Sequence, residues 1–529
     1  MATIKWDGGT STDAEVASNW QGGVKPGSGD DVVFDNTSSG GCQLTADVSW
    51  ASMTMNTNWD QNLDINGYTI TSAGNVSIDG SAGTLTWNTP SKIIITGDAD
   101  FTATESGMSL SGTPDIELQG TGELDINDPS INLNKLTCAA SGKTTTVNGT
   151  NLGRSNTLTV GAGTLHILQR WAVWLDNGTE SGFTTQAGHS ITGSQSLQIR
   201  NNSSTAAIQM PAMDIGDGVT VNMFCNDSNA KGYTFTGAVT GSGILEMQNN
   251  NGDTSSNVYD LNGQDITAKR IDYGSNSSGD RMNINFGGGT IDLSEGIIAL
   301  YDSGDAYLDF ESATIYTGGS IDLGASTTVD SVGTASIEFD GATAATIMSD
   351  GEQLPDIVIN KSSNGVTLQD AASFGDFEHS SGNFDMNGNT MSCIDFTVSS
   401  AGTKTYDAAV TSTGSIDVDV TMTVNRLIRS SSTTMTVSAG TTFTLSNYTS
   451  GDWNGTTTQS DSGGSDFTFA NPSGMTMLSS SWKDTDASNT IDATDGSNTD
   501  LGGNTNINFG AASAVGAAWY HHAQMMGAY

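Results

Sequence analysis

The sequence predicts an all-β fold, a parallel β-solenoid with capped ends and a short C-terminal tail. Three observations carry this prediction. The composition is that of turns and short strands, short runs alternate apolar and polar residues, and an Asp-x-Asn-Gly motif recurs at distant positions. Hydrophobic residues make up 35% of the 529 and charged residues only 14%, while Gly reaches 65 copies. Ser, Thr, Asn and Asp fill much of the rest, and these residues favour turns and strand ends. Low apolar content also suits disorder, but disordered chains lack regularly placed β-branched residues and are often rich in Pro. This chain has 7 Pro, and its Ile, Val, Leu and Phe recur in alternating runs.

Alternation at period two is plain in residues 115–126 (DIELQGTGELDI), 284–293 (INFGGGTIDL) and 315–323 (IYTGGSIDL). Each reads as two short strands flanking a glycine turn. Helical periodicity is confined to residues 168–175 (LQRWAVWL) and to the Ala-rich tail at 511–526, both expected as marginal helices.

The recurring motif is D-[I/L/M]-N-G-x-x-[I/M], at residues 64–70 (DINGYTI), 260–266 (DLNGQDI) and 385–391 (DMNGNTM). Asn-Gly supplies positive φ at a corner, and the flanking apolar residues are expected to point inward. Asn-Gly is also a strong hairpin signal, which leaves tandem antiparallel β-sandwiches as the alternative fold. A sandwich of this length would need several cores, and no linker separates them. A looser repeat relates residues 131–167 to 357–386, each running from a strand through Gly142 or Gly365 into a Thr/Val strand. Self-similarity of this kind marks architectures whose units stack. With rungs of roughly 22 residues the chain would make about two dozen, stacked at about 4.8 Å into a rod on the order of 100 Å long.

A solenoid exposes an open sheet edge at each end, so its termini need caps. Residues 3–34 carry Trp6 and Trp20, then Gly22, Gly23, Pro26, Gly29, Asp30 and Asp31, then the strand Val32 to Phe34. This segment resembles the W-x(n)-NW-x-G-G-x-x-P-x-x-G-D-D-V-x-[F/I] opening of right-handed β-solenoid proteins of phage virions and bacterial cell surfaces. The two indoles suit a lid over the apolar column, or alternatively a platform for carbohydrate. Residues 477–509 resemble the closing segment of such proteins, with Trp482, Lys483, Asp484, Ile491, Gly502, Gly503 and Phe509 at matching positions; residues 479–481 depart from the pattern. The organisation read from the chain is a cap with first strands at 1–40, a solenoid body at 41–476, the closing segment at 477–509 and a tail at 510–529.

Formal net charge is -41, from 58 acidic and 17 basic residues. Such a surface repels phosphate backbones and anionic lipid, so neither nucleic-acid binding nor membrane insertion is expected. Cys42, Cys138, Cys225 and Cys393 lie far apart without metal spacing and are expected as buried small residues. The N-terminus shows no Sec-type leader and no run long enough to span a membrane.

No HExxH, GxSxG or phosphate-loop pattern is present, so no catalytic residues and no enzymatic activity are expected. Were there an active site, aromatic and acidic residues would place it near Trp171, Trp174, Asp176 and Glu180. The adjacent His521 and His522 read as solvated or packed. Residues 492–500 (DATDGSNTD) place Asp495, Asn498 and Asp500 around Gly496, oxygen ligands that Ca²⁺ would accept, although self-satisfied Asx turns are the plainer reading. No other cofactor is expected. In the tail, Trp519, Tyr520 and Tyr529 are candidate anchors for docking on a neighbouring subunit.

The resemblance, with the missing leader, implies a virion protein: a capsid decoration, head fibre or tail fibre, homotrimeric, contacting capsid or tail proteins and a host surface glycan. A bacterial S-layer or adhesin-type protein is the alternative, and a polysaccharide-degrading tailspike a second.

Overall fold

The computed structural model describes the whole chain apart from residues 80–82, 88–89, 104–108, 128–131, 150–152, 176–181, 203–205, 227–230, 251–255, 276, 278–279, 400–401 and 511–529. The fold is a parallel β-solenoid of about 19 turns, 56% strand and 1% helix. Every pairing between strands among the described residues is parallel, and the one antiparallel contact is an isolated bridge between Trp6 and Trp20. The sandwich alternative is therefore excluded. The rungs are unequal in length. Phe377 faces Phe396, 19 residues on, whereas Ile244 faces Arg270, 26 residues on.

The chain divides into two compact units. The first comprises Met1–Ala313 with Ala325–Ser331. One of its walls runs from Thr3–Lys5 through Asp31–Phe34, Ser52–Met55, Val76–Ile78 and Phe101–Ala103. Another stacks Ile208–Met210, Gly232–Phe235, Ser256–Asp260, Arg281–Asn285, Asp305–Asp309 and Thr327–Ser331. The second unit comprises Thr314–Gly324 with Val332–Tyr529, and one of its walls stacks nine strands from Gln353–Leu354 to Thr505–Asn508.

Alternation decides which side chains fill the interior. In Asp115–Leu118, Ile116 and Leu118 are buried while Asp115 and Glu117 face outward. The paired strands expected around glycine turns form as Asp115–Leu118 with Gly122–Ile126 and as Thr314–Thr317 with Ser320–Asp322. Like side chains stack on like from rung to rung: Phe286 on Phe310 at 4.9 Å and 7°, Phe377 on Phe396 at 5.7 Å and 11°, Trp453 on Trp482 at 5.9 Å and 9°. Each such pair adds about 0.5–1.5 kcal/mol beyond the burial itself. All four cysteines are free and buried, as expected of small interior residues.

The DxNG motif does what its composition implies and one thing more. Asn66, Asn262 and Asn387 have φ of 51°, 52° and 52°, and the glycines after them are also positive. In each copy the Asp carboxylate accepts the Asn backbone N–H, at 2.9, 2.8 and 2.9 Å. Ile65, Leu261 and Met386 are buried between them. In addition, each Asn side-chain amide donates to a carbonyl of the preceding rung, Leu44, Phe235 and Leu368 at 3.1, 3.1 and 3.4 Å. The corner is thus also a staple between rungs. The same corner continues where the motif is no longer legible. Asp260, Asn285 and Asp309 stand in register, and Gly287 and Glu311 repeat the left-handed turn at φ 69° and 48°.

Trp6 and Trp20 form the N-terminal lid. Their rings meet edge to face at 4.9 Å, Trp20 continues to Phe34 at 6.2 Å, and both indole N–H groups donate to backbone carbonyls, of Gly40 at 2.8 Å and Ala14 at 2.7 Å. Both rings are fully buried, so neither offers a face to carbohydrate.

One expected helix is corrected. Trp171–Leu175 is a strand, in register with Ser196–Asn201. Its apolar run is continuous because Trp171, Val173 and Leu175 fill the interior while Ala172 is also covered. A strand covered on both faces and a buried helix present the same run of apolar residues. The other expected helix, in the tail, lies outside the described residues. No described helix is long and apolar enough to cross a membrane.

Candidate functional site: an outward polar and aromatic strip

The sequence-predicted oxygen cluster is occupied by its own turn. Asp495 accepts the Ser497 backbone N–H at 3.0 Å and also the Ser497 hydroxyl. Asn498 Nδ2 donates to Asp495, Met477 O and Ala493 O, at 2.5, 2.9 and 3.0 Å, and its Oδ1 accepts the Ser480 N–H at 2.8 Å. Asp500 accepts Gly502 N–H at 2.8 Å and Asn504 Nδ2 at 2.7 Å. These bonds tie the corner to the rung before it. Among the described residues, no group of three or more His, Cys, Asp or Glu is placed to hold a metal. Trp519, Tyr520, Tyr529, His521 and His522 lie outside the described residues, as do Asp176 and Glu180.

A cleft of about 370 Å³ lies between the Pro26–Gly27–Ser28 turn and Asp47–Trp50, but the Trp20 and Trp50 rings beneath it are buried.

Trp171 and Trp174 point in opposite directions. Trp171 is interior, whereas Trp174 begins a strip on the outer face of the first unit. Register builds the strip. Trp171–Leu175, Ser196–Asn201, Thr220–Cys225, Ile244–Asn249 and Ile266–Ser275 stack directly, so that Ala172, Gln198, Asn222, Glu246 and Asp272 form one column. Trp174, Arg200, Phe224, Gln248 and Gly274 form the next. The inward neighbours Val221, Met223 and Cys225 are fully buried, and alternation sends Asn222 and Phe224 outward.

At one end the strip is cationic and aromatic. The Arg154 guanidinium lies 4.4 Å from the Trp174 ring centre. Arg200 lies 5.3 Å from the same ring and 5.0 Å from Phe224. Arg200 Nε and Nη2 donate to Gln198 Oε1 at 3.1 and 2.9 Å. Burial holds the Arg200 pKa below its ordinary value, and the charges of Arg170 and Arg154 push the same way. In the middle, amides dominate. Asn222 Nδ2 donates to Gln248 Oε1 at 3.3 Å, and Asn222 Oδ1 is buried with no partner.

The far end is acidic. Glu246 and Asp272 face each other across adjacent rungs. Burial raises the Glu246 carboxyl above its usual range, and the charge of Asp272 adds to that. Burial likewise raises Asp272, against the pull of Arg270, whose Nε and Nη2 reach its two oxygens at 2.5 and 2.8 Å. Glu295 closes this group through Arg270 at 3.3 Å and Lys269 at 3.3 Å. Asp272 and Glu295 are therefore held in an ion-pair network, and Glu246 stands beside it.

Sequence reasoning singled out Trp174 and missed Arg154, Arg200, Asn222, Glu246 and Asp272. These positions share no local motif; only the register of rungs with unequal lengths brings them together. No family model matches the chain, and it matches none of the curated proteins or solved structures compared with it.

Proposed function

We propose that this protein is a structural, non-catalytic component displayed on the surface of a phage particle, as a capsid decoration or fibre. In this reading it assembles with copies of itself and with capsid or tail proteins, and contacts a host surface glycan. The observation that carries the reading is how its outward polar groups are used. Asx corners and amide side chains tie one rung to the next at positions as far apart as Asn66, Asn262, Asn387 and Asn498. Carboxylates are engaged in the same way, in turns and ion pairs. Such a surface serves durability and display. The lidded N-terminus and the acidic balance, which keeps many copies soluble side by side, agree with it.

Proteomics of purified particles tests the context: this chain is expected among the virion proteins, with a capsid or tail gene beside its own. Its recovery from the host envelope instead would favour the S-layer or adhesin alternative. A second reading, polysaccharide cleavage, has the outward pair Glu246 and Asp272 in its favour. Incubation with host capsular polysaccharide decides it, no release of oligosaccharide being expected.

A further inference from the structure

The strip of the first unit brings guanidinium groups and aromatic rings together. Other cations of the chain meet carboxylates, as in Lys92–Glu117 at 2.5 Å, Arg270–Asp272 at 2.5 Å and Arg426–Asp452 at 2.8 Å, or backbone carbonyls, as Lys361 and Lys404 do. Among the described residues, Arg154, Arg170 and Arg200 have no ion pair. In a chain with 58 acidic residues, three neighbouring guanidiniums with no ion pair among the described residues are an arrangement that an anionic ligand would suit. Two of them lie over aromatic rings, which orients the forks that bind carboxylates side-on.

The remainder of the strip narrows the ligand. Next to the arginines come Gln198, Asn222 and Gln248, amides suited to hydroxyl groups. Asn222 is 4% exposed, and its Nδ2 donates to Gln248 Oε1 at 3.3 Å. Beyond them lie Glu246 and Asp272, which accept hydroxyls but repel anions. A ligand along the strip must carry negative charge over the arginines and neutral hydroxyls beyond. Rungs spaced about 4.8 Å apart offer these groups at a repeat comparable to successive sugars of an extended chain. A nucleic acid, charged at every unit, would set phosphates against the acidic end.

We infer that the outer face built by Arg154, Trp174, Arg200, Phe224, Asn222 and Gln248 is a binding strip for an acidic heteropolysaccharide, one that carries neutral sugars as well as charged ones. The inference rests on the glycan contact of the proposed function and names its location and chemistry.

The test uses the full chain with oligosaccharides of hyaluronate, gellan and xanthan, with dextran as the neutral control and a single-stranded oligonucleotide as the phosphate polymer, all by calorimetry. At least one acidic glycan is expected to bind, with affinity falling as salt rises. The R154Q/R200Q double variant is expected to bind it at least tenfold more weakly. Arg170 is exposed, so R170Q leaves the packing intact, and about threefold weaker binding is expected of it should the double variant not fold. Binding of none of the three glycans overturns the proposal, as does unchanged affinity in the variants or tighter binding of the oligonucleotide. Release of oligosaccharide during the titration would instead overturn the non-catalytic reading and leave the strip standing.

Discussion

Replacing Asn262 separates the two jobs of the DxNG corner. Its backbone sits at φ 52°, and its side chain donates to Phe235 O of the previous rung at 3.1 Å. Alanine removes the hydrogen bond, about 1 kcal/mol, and places a Cβ-bearing residue without a compensating local bond in the left-handed region, about 1 kcal/mol more. Glycine removes only the hydrogen bond and accepts the conformation. N262A is thus expected to lose about 2 kcal/mol and N262G about 1 kcal/mol. In a stacked array, stability is close to a sum of local terms, so the loss should be confined to neighbouring rungs. Peptide-level hydrogen exchange reads this directly. About 2 kcal/mol corresponds to roughly 30-fold faster exchange in peptides covering Gly232–Phe235 and Ile266–Ser275, about 1 kcal/mol to roughly fivefold, and peptides from the second unit should be unchanged. Equal effects of Ala and Gly, or acceleration spread over the whole chain, would refute the reasoning.

Other expectations follow from the same packing. G287A should cost more than 2 kcal/mol, since its Cβ would lie 2.4 Å from Gly263 N at a φ of 69°; a melting temperature equal to wild type would contradict this. His379 is buried, bonded to Tyr406 Oη at 2.9 Å and Gly382 O at 3.1 Å, and desolvation lowers its pKa to about 4. The unfolded chain, near 6.5, then binds the proton first, so the stabilising effect of the neutral ring is complete above pH 6.5 and is lost as pH falls through the window from 6.5 to 4, by about 3 kcal/mol. Urea midpoints of wild type and H379N at pH 7 and pH 4.5 should converge on acidification, and parallel curves would sink the assignment. W20A removes a ring shared by Trp6, Phe34 and Trp50 and should cost about 3–5 kcal/mol, seen as early proteolytic cleavage of the first rungs.

How far each feature was legible depends on the range of the interaction behind it. Period-two alternation reports burial one residue at a time, and so the walls at residues 115–126 and 315–323 could be read directly. The left-handed Asn-Gly corner is decided within four residues, and so were the inward directions of Ile65, Leu261 and Met386. The Trp171–Leu175 strand was misread because an apolar run records that both faces are covered and not which backbone covers them. The corner at Gly287 and Glu311 went unseen because its geometry is imposed by the rung beneath, on residues that carry no motif.

The strip was the least legible feature. Arg154, Trp174, Arg200 and Phe224 are separated by 20, 26 and 24 residues, and unequal rungs leave no constant period to detect. By itself the sequence determined a parallel solenoid, its corners, its N-terminal lid and its buried cysteines, because each depends on contacts between near neighbours or on a residue's own preference for burial. The tertiary structure alone decided which outward side chains stand one above another. That depends on the summed length of every intervening rung, and it set Arg154 and Arg200, which have no ion pair among the described residues, over the Trp174 and Phe224 rings on a chain of overwhelmingly negative charge.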